Sequence, residues 1–157
     1  MALVFDINGK EQEIKFNFRL LFKANRKLSS KDPETGEVGN NGALNLFTQI
    51  NDGREEGIIN LIQLASGNKK VTEDVALEAI EAYMIQTGLD DEEAYNQIFI
   101  DVKEEILDSG FFVGKIKKQV EALENNVATI EKHGTEEQKT QVKVMKDMID
   151  SVKSEIY

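Results

Sequence analysis

Residues 111–157 read FFVGKIKKQVEALENNVATIEKHGTEEQKTQVKVMKDMIDSVKSEIY. Val113, Ile116, Val120, Leu123, Val127 and Ile130 recur there on a strict three-four spacing. The pattern stops at His133-Gly134-Thr135 and restarts in a new phase as Val142, Met145, Ile149, Val152 and Ile156. Each run draws a narrow apolar stripe down one side of a helix, and such a stripe needs another helix against it. Charged residues fill the positions between. The spacing predicts a first helix over about 112–133, roughly 33 Å long at 1.5 Å per residue. Gly134 ends it, and Thr135 with Gln138 is a capping box for a last helix over about 136–156. With so short a connection, a helical hairpin is expected. The stripes either pack on each other or take a helix from a partner. On the second reading Val113, Ile116, Val120, Leu123, Val127, Ile130, Val142, Met145, Ile149 and Val152 are the candidate partner-binding residues.

The rest of the 157-residue chain sets the frame for that hairpin. This length suits one domain with an appendage, divided here into a body, 1–110, and the hairpin, 111–157. There is no cysteine, which excludes disulfides and thiolate metal sites and fits a reducing cytoplasm. No apolar run approaches the roughly 20 residues that span a membrane. The start, Met1-Ala2-Leu3-Val4-Phe5-Asp6, lacks the basic region of a secretion signal. The net charge of −10 argues against nucleic-acid binding. That charge is unevenly spread: 10 Lys/Arg against 9 Asp/Glu over residues 1–70, 1 against 12 over 71–110, and 8 against 8 over 111–157. The acidic middle is a solvated face or a docking surface for a basic partner.

The expected fold is mainly α, with an N-terminal β-hairpin packed on a helical domain and a coiled-coil-like helical hairpin at the C-terminus. Residues 3–16 alternate on both sides of Asn8-Gly9, a pair suited to the two-residue turn with positive φ. This register sets Leu3 opposite Ile14 and Met1 opposite Phe16, with Phe5 and Ile7 on the same apolar face. Asn17 then caps a helix over about 18–28 with an apolar stripe of Phe18, Leu21, Phe22 and Leu28. Residues 29–42 break every period, and Asp32-Pro33-Glu34-Thr35-Gly36 marks a surface loop with a small hairpin at its tip. A second helix, about 43–51, turns Ala43, Leu46, Phe47 and Ile50 inward. Asp52 and Glu55 look like the cap of a third, carrying Ile58, Leu61, Ile62 and Ala65 up to Gly67. Thr72 caps a fourth, with Ala76, Ile80, Tyr83 and Met84 inward and Gly88 after its end. Asp90 and Glu93 start a fifth, with Tyr95, Ile98, Phe99, Val102 and Ile106 as its stripe and Gly110 as its close.

Little in the chain looks like reaction chemistry. His133 is the sole histidine, in a helix's last turn where a cation complements the dipole. Asp90-Asp91-Glu92-Glu93 sits at a helix start, where acids are expected for the same reason, and has no calcium-loop spacing. Asn8-Gly9-Lys10 does not meet the phosphate-loop pattern. No enzyme activity, cofactor or metal is expected.

The stretch Phe5-Asp6-Ile7-Asn8-Gly9-Lys10-Glu11-Gln12-Glu13-Ile14-Lys15-Phe16-Asn17-Phe18 resembles the start of tail assembly chaperones of long-tailed (siphovirus-type) bacteriophages and prophages, especially of Gram-positive hosts. Members often open with an I-N-G-K-x-x-x-L-K-F hairpin followed by a helix. The similarity extends through Leu61-Ile62-Gln63-Leu64-Ala65-Ser66-Gly67, the acidic helix from Asp90 to Ser109, and Lys115-Ile116-Lys117-Lys118, covering about residues 3–120. The loop 29–42 and the hairpin after about 125 depart from the shortest members. The resemblance implies a chaperone that binds the helical tape-measure protein and keeps it soluble until the tail tube forms. It implies action in the cytoplasm of the bacterial host and absence from the mature virion. It also implies a second partner, the major tail tube protein, reached through a longer frameshifted product. Self-association is a further expectation from the stripes. Two other readings keep the same fold: a tail or head–tail protein retained in the virion, and a helical regulator that dimerises.

Overall fold

The computed structural model describes residues 2–32, 35–67 and 70–157. Two strands, β1 (Val4–Ile7) and β2 (Lys10–Glu13), precede seven helices among these residues: α1 (Phe18–Leu28), α2 (Gly42–Asn51), α3 (Glu55–Ala65), α4 (Glu73–Thr87), α5 (Asp91–Asp108), α6 (Gly110–His133) and α7 (Glu136–Ile156). The fold is mainly α with an N-terminal hairpin, as the periodicities predict.

Asn8 (φ 55°) and Gly9 (φ 78°) make the turn that their types favour. The register follows from it: Val4 pairs with Glu13, Phe5 with Gln12, Asp6 with Glu11 and Ile7 with Lys10. The Ile14 amide donates to the Leu3 carbonyl at 2.8 Å, so those two residues face each other as expected. The pairing of Met1 with Phe16 lies outside the described residues. Two strands alone are marginal in water. This pair is held by its apolar face, where β1 packs on α4 and the Phe5 and Tyr83 rings stand 5.0 Å apart.

The core is organised around α2. Seven of its residues are buried, Gly42, Ala43, Leu44, Leu46, Phe47, Thr48 and Ile50, and it contacts α1, α3, α5, α6 and α7. A helix apolar on nearly all sides has to sit inside, and the others wrap it. One apolar cluster runs from Leu3 and Phe5 through α2 to Val152 and Ile156.

Several predicted caps form. The Asn17 side chain accepts from Leu20 N, Thr72 from Val75 N and Asp90 from Glu93 N, and Thr135 with Gln138 makes a reciprocal capping box. Lys31 bridges Val38 across the loop, which gives the small hairpin; Pro33 and Glu34 at its tip lie outside the described residues.

Three expectations are corrected. First, Phe18 and Phe22 do not belong to the core: α1 buries Leu20, Leu21 and Ala24 instead. The close approach of α2 selects that face. A Cβ built on Gly42 would lie 2.0 Å from the Ala24 carbonyl oxygen, so α1 must present its small residue there and rotate both phenylalanines outward. Second, Asp52 does not cap α3. It closes α2, its amide donating to Thr48 O at 2.9 Å, and Arg54 takes the α3 cap position without a side-chain bond. The Glu55 side chain accepts from the Tyr95 hydroxyl at 2.9 Å. Third, Gly110 does not close α5. Ser109 ends α5 and also caps α6: its hydroxyl accepts from Phe112 N and donates to the Phe16 carbonyl at 2.9 Å. Gly110 is the first residue of α6.

Candidate protein-binding surface

The two C-terminal stripes meet each other. α6 and α7 pack against one another as an antiparallel pair, with Lys153 to Glu124 at 2.7 Å and Lys146 to Glu131 at 3.0 Å along its length. Ile116, Val120, Val127, Val142, Ile149 and Val152 are buried in the seam. Val113, Leu123, Ile130 and Met145 are half-buried and pack against the same cluster. All ten candidate residues therefore lie together, and each already has apolar cover from its own chain. The near half also rests on the body. Asn51 of α2 donates to the Ser151 hydroxyl at 3.0 Å, and Lys103 of α5 pairs with Glu155 at 3.4 Å. Toward the far end, Ile130 and Met145 line an open cleft of about 510 Å³ shared with Lys31, Val38 and Asn41 of the loop.

Sequence reasoning missed the residue that clips the hairpin to the body. Gln119 is buried on α6, on the side that meets α1 and α2. Its Oε1 accepts from the Leu44 amide at 2.9 Å, and its Nε2 donates to Asn25 Oδ1 at 3.0 Å. That same oxygen accepts from the Ala43 amide at 3.2 Å. A helix start leaves its first amides without partners, and Asn41 at the α2 cap supplies none from its side chain. Asn25 and Gln119 supply them from two other helices. No motif announces such an arrangement, because Gln119 is 75 residues from Leu44 and 94 from Asn25 in the chain.

Away from the α6–α7 seam the surface carries exposed aromatic side chains. Phe18 is 70% exposed, Phe22 54% and Phe111 43%. The Phe18 and Phe22 rings stack on each other, centroids 6.5 Å apart, and Lys115 Nζ lies 5.5 Å from the centre of the Phe111 ring. A signal for this was present. In α1 the residues Leu20, Leu21, Ala24 and Leu28 form an apolar stripe as good as the one through the phenylalanines, so one of the two had to face outward.

The other candidates remain local features. His133 is exposed in the last turn of α6. Asp90 spends its carboxylate on the α5 cap. Tyr83 donates to the Asp101 carboxylate, which also accepts from Gln97 at 2.8 Å. Burial, then that carboxylate, push the Tyr83 phenol well above its ordinary range. No group of side chains with the makings of a metal site is found among the described residues, and no helix there is long and apolar enough to cross a membrane. What the surface offers is non-covalent contact: exposed aromatic rings, a helical seam and charge.

Residues 4–123 match the model of a family described as phage tail assembly chaperone protein. No curated protein and no solved structure matches the chain.

Proposed function

We propose a function from one premise: the chain belongs to the phage tail assembly chaperone family, whose model matches residues 4–123. It binds the tape-measure protein, a long helical client, and keeps it soluble until the tail tube assembles. It acts in the cytoplasm of the bacterial host and is shed before the virion is complete. The match over most of the chain carries this reading. The physical character of the surface agrees with it. A long amphipathic client aggregates through its apolar face, and a helical protein with exposed aromatics can cover that face reversibly.

The stripe residues enter this reading through their accessible members. A client reaches Val113, Leu123, Ile130 and Met145 at the edge of the seam; it reaches Ile116, Val120, Val127, Val142, Ile149 and Val152 only by displacing α7 from α6. The appendage 111–157 thus serves as a support first, with its far end open to a partner.

The test is co-expression with the tape-measure protein encoded in the same tail gene cluster. The client should stay in the soluble fraction and co-purify with this chain, and purified particles should lack it. A client equally soluble without this chain, or particles that retain it, would overturn the reading.

A further inference from the structure

The exposed phenylalanines of α1 and α6 border one junction, with basic residues beside them. Two hydrogen bonds link α1 and α6, which run in the same direction: Ser109 bonds the Phe16 carbonyl ahead of both helices, and Gln119 bonds Asn25 further along. On α1, Phe18, Phe22 and Asn25 lie on one row at i, i+4 and i+7; on α6, Phe111, Lys115 and Lys118 follow a row of the same kind. Asn25 and Gln119 turn inward to each other, so the two rows border the α1–α6 junction on its solvent side. Residues 18–28 carry Arg19, Lys23, Arg26 and Lys27 and no acid; residues 110–120 carry Lys115, Lys117 and Lys118 and no acid. Three of these turn elsewhere: Lys23 donates to the Leu64 carbonyl of α3 at 3.5 Å, Lys27 lines a cleft with Leu64 and Gly67, and Lys117 lies 4.9 Å from the centre of the Tyr157 ring. The other four, Arg19, Arg26, Lys115 and Lys118, take part in no ion pair among the described residues. Four such cations beside three exposed rings, with no acid in these two stretches, are out of character for a chain of net charge −10.

We propose that the α1–α6 junction is the docking face for an amphipathic helix with acidic flanks, the rings taking its apolar stripe and the cations its carboxylates. This rests on the reading of the chain as a chaperone for a helical client and names the chemistry of the segment it holds. Charge decides the occupant. Fields from the distant acidic helices fade over roughly 8–10 Å in physiological salt. At contact distance an arriving helix therefore feels the local cations. Acidic flanks are attracted and basic flanks are repelled, which sets both the partner and its orientation. Aromatic rings with arginine at their border are the residue types that anchor such contacts.

The experiment uses the full chain and two synthetic 21-residue helices with leucine at every a and d position, one flanked by glutamate and one by lysine, each labelled for fluorescence anisotropy. The glutamate helix should bind, the lysine helix should bind at least tenfold more weakly, and added salt should reduce the difference. Phe18→Glu with Phe22→Glu, and separately Arg19→Glu with Lys118→Glu, should each weaken the glutamate helix at least tenfold while circular dichroism stays unchanged, since all four side chains are exposed. Failure of the glutamate helix to bind, equal binding of both helices, or full binding by both variants would overturn the proposal. So would an oligomeric wild type that the phenylalanine variant makes monomeric, because the occupant would then be a second copy. Co-expression with the tape-measure protein separates the two readings. If the wild type cannot hold that client, the chaperone reading fails. If the wild type and both variants hold it equally, the chaperone reading stands and this face is not its site.

Discussion

Gln119 stands where a buried helix face ordinarily carries an aliphatic side chain, and its removal should be costly because both ends of its amide group are hydrogen-bonded. Gln119→Ala leaves the Leu44 amide buried without an acceptor, a loss of about 1–3 kcal/mol. For a chain of this size that lowers the melting temperature by roughly 3–9 °C in calorimetry. Gly42→Ala should cost about as much or more, because the added methyl would overlap the Ala24 carbonyl and force α1 from α2. Gly9→Val strains a turn that needs positive φ, at about 1–3 kcal/mol, with no selective loss of client binding. The three residues differ in legibility. Asn8-Gly9 could be read because a two-residue turn is decided by its own two residues. Gly42 and Gln119 could not, since the reason for each lies in a helix elsewhere in the chain. Tyr83 offers a pH test. Its phenol titrates higher in the folded chain than in the unfolded chain, so the folded state keeps its stability up to the ordinary tyrosine range near pH 10 and loses it as the pH rises beyond. Tyr83→Phe should make the fall in melting temperature between about pH 10 and 11 shallower. An unchanged slope would assign that fall to other groups.

At the scale of elements, the phase of α1 separates what periodicity shows from what packing decides. Its limits, Phe18 to Leu28, and its Asn17 cap follow from local residues and were legible. Its rotation was not, because two apolar stripes compete and size alone favours the one with phenylalanine. The short contact at Gly42 and Ala24 resolves the competition. The outcome is measurable: Leu21→Ala should destabilise the protein by about 2–5 kcal/mol, whereas Phe22→Ala should stay within about 0.5 kcal/mol in urea unfolding. The reverse order would restore the stripe through Phe18 and Phe22. The C-terminal pair shows the opposite case. Both stripes, the stop at Gly134 and the capping box at Thr135 were legible because each helix carries one stripe and no rival. Thr135→Ala should cost roughly 1 kcal/mol and speed hydrogen exchange in the first turn of α7 before any other part of the hairpin.

Across the whole molecule, the family match ends at residue 123, in the middle of α6, while the core does not. Val142, Ile149, Val152 and Ile156 of α7 join the same apolar cluster as Leu3 and Phe5. Sequence alone separates a hairpin from a body because the stripes differ in kind: narrow and heptad-like after residue 111, broader and less regular before it. Sequence cannot show that both kinds converge on α2. Phe112, Ile116 and Val120 are fully buried; α6 lies on α2 and α5, and the Phe112 ring stands 5.2 Å from Phe16, edge to face. Removing residues 110–157 would therefore uncover part of the α2 and α5 surfaces and strip the Leu44 amide of its acceptor. Each fully uncovered large side chain costs about 1.5–3 kcal/mol, and a few of them exhaust the 5–15 kcal/mol that holds a domain folded. A chain ending at Ser109 should accordingly show no sharp calorimetric transition and poorly dispersed amide resonances, while the full chain melts in one cooperative step. A cooperative melt with dispersed resonances from the shortened chain would mean that α2 closes its core without α6. The hairpin would then be free to leave the body and engage a client along its whole seam.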